Sequence, residues 1–195
     1  MKINRIIAFS IPGLLLAGIN GGSVQAATLP VSSVEAATTQ QAAADDLAKM
    51  IRIVTRKVNE GHPTGTQFML AQGTAPTGPT TDMSEFTQWY FVFNTDDSHT
   101  IEVQASIDGE VRSISERPGH WGGVMPIGVS PKMSMQDAYA LIQAAGYAKG
   151  FQFVSLVKPL IAEPHLQYHF ENEFAGSGRG YAVNIDSGTV SPIFG

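Results

Sequence analysis

Residues 165–174 carry the side chains with the clearest potential for chemistry. His165, His169 and Glu171 alternate with apolar residues, so on a β-strand they share one face. Imidazole and carboxylate groups ligate zinc and act as general acids and bases. On an extended strand, however, His165 and His169 lie about 13 Å apart, which is too far to share one ion. We therefore expect no metal and no cofactor, and we interpret the segment as a solvated polar face or a partner-accepting edge strand.

A glycine-rich turn at residues 176–180, with the sequence GSGRG, contains a serine and Arg179. It lacks the lysine and the following helix of a phosphate-binding loop, and it does not match the Gly-x-Ser-x-Gly pattern of a serine hydrolase. We interpret it as a flexible hairpin turn in which Arg179 is available to an acidic partner.

Two further loops are candidates for recognition. His120 and Trp121 precede two glycines, and an aromatic side chain among glycines suits a contact surface, although Trp121 could equally cover the space between two lobes. Residues 73–82 are rich in Gly, Pro and Thr and read as an exposed loop. The residues predicted to bind a partner are His120, Trp121, Arg179, Thr77 and Thr80.

The elements that position these groups begin with an amphipathic helix. Asp45 and Asp46 favour a helix N-terminus, and apolar residues follow at spacings of three and four as far as Val58. Gly61 and the proline two residues later end the helix. Alternating and aromatic segments then predict an antiparallel meander, with strands at 67–72, 86–94, 100–107 and 110–115.

The second half repeats this plan. Residues 117–130 are dense in glycine and proline and form the predicted linker. Ser134 and Asp137 have the spacing of a capping box, with Asp in place of the usual Glu or Gln, and predict the start of a helix that Gly146 ends. Further strands are expected at 151–160, 166–174 and 181–185.

The N-terminus has the pattern of a secretory signal peptide. Lys2 and Arg5 precede an apolar run at 6–19, and small residues follow as far as Ala26. Cleavage there predicts a periplasmic or secreted protein, with a flexible leader at 27–44 that is poor in large apolar residues. No later run of about 20 apolar residues occurs, so we expect no integral membrane segment after cleavage.

Composition excludes several classes of function. The net charge of −5 becomes −7 when Lys2 and Arg5 are removed, and an acidic chain is poorly suited to nucleic acid. The absence of cysteine excludes thiol catalysis, thiolate metal sites and disulfides.

A local signature occurs twice. Residues 103–114 (VQASIDGEVRSI) and 181–193 (YAVNIDSGTVSPI) share a β-run, an Ile-Asp pair, a glycine-containing turn, a Val and a later Ile, which predicts an internal duplication. A helix followed by a meander ending this way resembles the PepSY domain, fairly well over 133–193 and more loosely over 45–114, where the 73–82 loop departs from the family. The resemblance implies a non-catalytic binding unit similar to inhibitory segments of secreted metallopeptidases, and it carries over no catalytic residues.

The expected architecture is therefore α+β, with two PepSY-like lobes that each consist of a helix and an antiparallel meander. The predicted segments are a signal peptide at 1–26, a leader at 27–44, a first lobe at 45–116, a linker at 117–130 and a second lobe at 131–195. The function expected is that of an exported, non-enzymatic protein-binding module that inhibits, or confers immunity to, a periplasmic or secreted hydrolase or toxin. The alternatives are a small-ligand carrier with a groove between the lobes and a hydrolase that uses His165, His169 and Glu171.

Overall fold

The computed structural model describes residues 32–62, 65–147, 149–172 and 179–194, and the predicted signal peptide lies outside them. Residues from 32 onward form one compact unit. The described helices are α1 (Ser32–Gly61) and α2 (Met135–Ala144), with a short 3-10 helix at Met83–Glu85. The described strands are β1 (Thr66–Thr74), β2 (Gln88–Thr95), β3 (His99–Ser106), β4 (Val111–Pro118), β5 (Phe153–Val157), β6 (Gln167–Glu171), β7 (Arg179–Asn184) and β8 (Val190–Phe194).

The eight strands form one antiparallel sheet in the order β4-β3-β2-β1-β5-β6-β7-β8. The predicted α+β class is confirmed. Each half consists of a helix followed by a four-stranded meander, and the first strands of the two halves, β1 and β5, pair at the centre. The strands that we expected in two separate lobes thus belong to one continuous sheet, which the pairing of β1 with β5 joins at its centre.

Local signals explain where α2 starts and why α1 starts earlier than expected. In α2, the backbone N–H of Asp137 donates to Ser134 Oγ at 2.9 Å, and Ser134 Oγ donates to a carboxylate oxygen of Asp137 at 2.7 Å, which confirms the expected N-terminal cap. Helix α1 begins at Ser32, earlier than the expected start near Asp45. Residues 32–44, which we expected in the leader, are rich in alanine and glutamine, and these residues have high helix propensity.

Both helices contact the same face of the sheet and bury the main core there. Helix α1 contributes Leu47, Met50, Val54 and Val58, and α2 contributes Ala138, Tyr139 and Ile142. The sheet supplies large aromatic residues on this face, among them Phe68, Trp89, Phe91, Phe93, Phe151, Tyr168 and Phe170. Because strand side chains alternate between faces, the intervening residues point to the opposite side, here called the helix-free face.

The register of the sheet repeats on either side of the central pair. The equivalent positions are Gln72 and Ser155 on the central strands, Tyr90 and His169 on the next, and Gln104 and Ala182 on the third. Asp108 and Asp186, the aspartates of the repeated sequence signature, each follow the third-strand position by four residues. The sequence repeat and the sheet register therefore give the same alignment of the two halves.

None of the helices in the described part of the chain is both long and apolar enough to cross a membrane.

Candidate functional site

The helix-free face carries a polar band between apolar residues. Cross-strand pairing places six side chains in one row across the sheet: Ser113, Gln104, Tyr90, Gln72, Ser155 and His169. A parallel row of Val92, Leu70 and Val157 is apolar and buried. Side chains directly opposite each other lie about 5 Å apart at Cβ, so each row is a continuous surface.

The segment after β4 covers the apolar row. Asn94, at the end of β2, accepts a hydrogen bond from the backbone N–H of Trp121 at 2.8 Å and donates one to its carbonyl at 3.0 Å. This bidentate contact holds Trp121 against Leu70 and its apolar neighbours. The guanidinium of Arg117 lies 5.5 Å from the centroid of the Trp121 ring, within the range of a cation–π contact.

A second segment, after β5, pairs with this one. Met125 donates its N–H to the Lys158 carbonyl at 2.7 Å, and Leu160 donates to the Gly123 carbonyl at 3.3 Å. The pairing leaves Leu160 and Ile161 unusually exposed for aliphatic side chains, at 67% and 53%. Trp121, Leu160 and Ile161 are here called the Trp121 patch.

The two paired segments border a cavity of about 290 Å³ over the second half of the sheet. Ser155, His169 and Glu171 line it, and Gly122 and Gly123 form part of its cover. Burial lowers the pKa of His169 from its ordinary value of 6.5 to about 4, so the imidazole is neutral at pH 7. Its Nε2 lies 2.9 Å from the side-chain oxygen of the neighbouring Gln167.

The interpretation of residues 165–174 as an edge strand is wrong, and that of a solvated face is wrong at Glu171; residues 173 and 174 lie outside the described part of the chain. Strand β6 lies between β5 and β7, and Glu171 is only 2% exposed. His165 precedes β6 and is exposed, so the structure separates it from His169 and Glu171. The alternating pattern correctly placed His169 and Glu171 on one face, but it could not indicate what covers that face.

A second cavity, of about 410 Å³, lies over the first half of the sheet and is here called the open trough. The polar residues that line it are Gln72, Thr74, Gln88, Tyr90, Gln104 and Arg112. Gln72 is only 2% exposed, and its amide donates to Ser155 Oγ at 3.1 Å. The trough therefore offers side-chain amides and hydroxyls beside a single cation.

A chain of polar contacts connects the open trough to the Trp121 patch. Burial, and then a hydrogen bond with Glu102, raises the pKa of Tyr90 above its ordinary value, so its hydroxyl stays protonated. Glu102 in turn accepts a hydrogen bond from Arg117 Nε at 2.8 Å. Through Arg117, the same network reaches the Trp121 ring.

The structure does not bring the predicted partner-binding residues together. His120, with Nε2 2.9 Å from the last carbonyl of β2, lies beside Trp121 at one end of the sheet. Thr77 lies in an exposed turn and Thr80 is buried, both after β1 at the opposite end, where Arg179 begins β7. The eight residues of β2 separate these ends by roughly 23 Å.

One cluster had no signal in the sequence. Glu116 on β4 lies 3.9 Å from His62 Nε2 and 3.8 Å from His99 Nδ1, and Asp97 lies 3.4 Å from the same Nδ1. These residues are far apart in the chain, so only the folded sheet brings them together. Within the described residues, no group of three or more His, Cys, Asp or Glu side chains is arranged to hold a metal ion.

Comparisons of this chain with protein-family models, with curated proteins and with solved structures gave no match.

Proposed function

We propose that this chain is an exported, non-enzymatic protein of two PepSY-like halves that binds a protein partner. The partner we envisage is a periplasmic or secreted hydrolase or toxin, which the chain inhibits or confers immunity to. The observation that carries the proposal is the Trp121 patch: the Trp121 ring lies near Arg117, and the segment paired with Gly123 carries the exposed side chains of Leu160 and Ile161.

Trp121 and the adjacent Arg117 are of residue types that recur at energetically important positions in protein interfaces. Tryptophan and arginine are enriched at such positions, and apolar side chains lose contact with water when a partner covers them. Leu160 and Ile161 are adjacent in sequence and both more than half exposed, so one partner surface can cover them together.

The patch is also held in place before binding. Two hydrogen bonds between the Asn94 side chain and the Trp121 backbone, one in each direction, hold Trp121 in place, and the backbone pairing of Gly123 with Leu160 joins the two segments. A preorganised surface loses less conformational entropy when a partner binds. This supports a binding role for a segment that, by its glycine content, would otherwise be mobile.

The approximate repeat supports the PepSY-like part of the proposal. The β1–β5 pairing makes one body of two halves with the same order of elements, and the Ile-Asp signature that carries the family resemblance falls at equivalent register in both.

The test uses the chain expressed in its own host with a C-terminal tag. A stoichiometric partner is identified by mass spectrometry, and its dissociation constant is measured with the purified proteins. We expect Trp121→Ala and Leu160→Ser each to raise the dissociation constant by about tenfold or more. If the partner is a hydrolase, its activity falls as the complex forms.

The matched control is Val129→Ser, since Val129 is as exposed as Leu160 but lies beyond Ile127, where the chain has left the helix-free face. Leu160 is 67% exposed, so Leu160→Ser removes little buried surface and remains informative if Trp121→Ala folds poorly. Equal affinities for wild type, Leu160→Ser and Val129→Ser would overturn the assignment of the patch.

A further inference from the structure

The open trough is not part of the Trp121 patch and needs an explanation of its own. Its volume of about 410 Å³ is within the range of small-molecule sites, about 300–1,000 Å³. It lies at the opposite end of β2 from Asn94, the residue that anchors Trp121. A protein bound at the patch therefore does not account for the residues that line the trough.

Three glutamine side chains on three neighbouring strands give the trough its hydrogen-bonding character. Gln72 and Gln104 both lie directly opposite Tyr90, and Gln88 lies opposite Thr74 in the adjacent row. Each amide offers donors and acceptors on one planar group, and so can donate to one hydroxyl of a ligand and accept from the next. The contact with Ser155 fixes the orientation of Gln72.

Tyr90 is the aromatic residue that lines the trough between Gln72 and Gln104. Its hydroxyl is anchored by Glu102, and its side chain is half-buried, so the ring position is fixed. Gly73, between Gln72 and Thr74, lets the Trp89 ring pack against the bare backbone on the other face, since a Cβ there would lie 2.9 Å from that ring. The sheet beneath the trough is therefore rigid and closely packed.

A β-bulge brings a cation to the rim. Ala105 pairs with Val111 and Gln104 with Ser113, which leaves Arg112 as the extra residue of β4. A bulge re-aims the side chain of the strand that carries it, and Arg112 lines the trough. Among the described residues, Arg112 makes no ion pair within 4 Å, although the chain as a whole is acidic.

We propose that the open trough binds a small sugar acid, a carboxylate that also bears neighbouring hydroxyl groups. The glutamine amides and Thr74 hydrogen-bond the hydroxyl groups, and the planar guanidinium of Arg112 pairs with the carboxylate. The Tyr90 ring supplies an apolar surface for the carbon–hydrogen face of the sugar. This site goes beyond the proposed function and depends on neither the partner nor the Trp121 patch.

The residues that line the trough suit a sugar acid better than they suit a phosphate-rich ligand or an extended peptide. A phosphate-rich ligand normally requires several cations or a helix N-terminus, and the trough offers Arg112 alone on strands. An extended peptide is bound chiefly by the backbone of an edge strand, whereas Gln72 and Tyr90 lie on interior strands whose backbone groups are already paired.

The test follows the side-chain amide signals of glutamine by NMR in isotopically labelled chain. The probes are D-glucuronate, D-glucose, which keeps the hydroxyl groups but lacks the carboxylate, and acetate, which has only the carboxylate. We expect saturable shifts of the Gln88 and Gln104 amides with glucuronate, about tenfold weaker binding of glucose, and no saturation with acetate.

Two variants and a matched control assign the contacts. Arg112→Gln is expected to weaken glucuronate binding about tenfold and leave glucose unchanged, and Gln104→Leu to weaken both. The control is Arg52→Gln, an exposed arginine on α1. No saturable shift with glucuronate, equal binding of acetate and glucuronate, or an Arg112→Gln affinity equal to that of the control would each overturn the proposal.

Discussion

The two halves of the helix-free face have the same register but different covers. Gln72 and Tyr90 in the first half are equivalent to Ser155 and His169 in the second. Over the second half, the paired segments around Gly123 form part of the wall of the cavity, whereas residues of the strands alone line the trough over the first half. The sheet is thus repeated, and the irregular connections make the halves different.

This difference changes the chemistry of the equivalent residues. Beside the paired segments, burial depresses the pKa of His169, so its imidazole remains neutral at pH 7 and lines the cavity together with Ser155 and Glu171. Tyr90 is also half-buried, but its hydroxyl is bound by Glu102, and burial together with that bond raises its pKa. An internal repeat can therefore provide two distinct surfaces when its connections follow different paths.

The largest expected loss of stability comes from substitutions that test whether the two halves form one folding unit. Phe91 and Phe170 occupy equivalent fully buried positions, so alanine at either leaves a cavity in the shared core. We expect each substitution to lower the free energy of unfolding by about 3–5 kcal/mol, measured by urea denaturation. In both variants, fluorescence and circular dichroism should report one coincident transition.

A split into two transitions in either variant would show that the halves unfold independently and would contradict a single cooperative sheet. The matched control is Ile114→Ala on the edge strand β4, where the side chain is 46% exposed and the expected loss is below about 1 kcal/mol.

The second effect tests the cover over His169. Because the folded protein lowers the pKa of His169 to about 4, it binds a proton less well than the unfolded chain does. The resulting stability is fully present above pH 6.5 and is lost as the pH falls toward 4. We expect this loss to be about 2 kcal/mol at pH 4.5, seen as a steeper decline in wild type than in His169→Gln.

Other carboxylates titrate in the same window, so the informative quantity is the difference between the two proteins at pH 7 and pH 4.5. A difference that does not change with pH would mean that the cover does not exclude water from His169.

The third effect tests the attachment of the covering segment. Asn94→Ala removes both hydrogen bonds to the Trp121 backbone, and Asn94 is only 6% exposed. We expect a loss of about 1–2 kcal/mol in urea denaturation and faster quenching of tryptophan fluorescence by acrylamide. Asn172→Ala, which removes one exposed hydrogen bond to Gln152, should change neither quantity measurably.

The smallest effect concerns Arg117, which connects the two regions. Arg117→Gln removes an ion pair with Glu102 and the contact with Trp121, but Arg117 is 45% exposed at its side chain. Solvent screening keeps the expected loss of stability below about 1 kcal/mol. A larger loss of stability would show that Arg117 is needed to hold Glu102 and Trp121 in place. The affinity of this variant for a partner would then reflect a change in folding as well as a change in binding.

Much of the fold could be predicted from local patterns. Segments of alternating apolar and polar residues correctly predicted nearly every strand, and the cap at Ser134 correctly predicted the start of α2. The repeated Ile-Asp signature aligned the halves at the register that the sheet confirms. These features depend on neighbours in sequence, and short-range physical rules therefore capture them.

The candidate site could not be predicted in the same way, because contacts between residues distant in sequence form it. Nothing local indicates that Asn94 binds the Trp121 backbone or that Gly123 pairs with Leu160, so the burial of Glu171 could not be foreseen. The β-bulge at Arg112 could not be predicted either, because one extra residue in a strand leaves the β-forming pattern of the sequence nearly intact.

The most direct test of the proposed function is site-specific photo-crosslinking in the host, with benzoylphenylalanine in place of Leu160 in the Trp121 patch. The same group replaces Gln104 in the trough and Arg52 on α1 in two further variants. We expect a single protein adduct from position 160 and none from position 52. No adduct from position 160, or the same adducts from positions 160 and 52, would contradict the assignment of the Trp121 patch as a partner-binding surface.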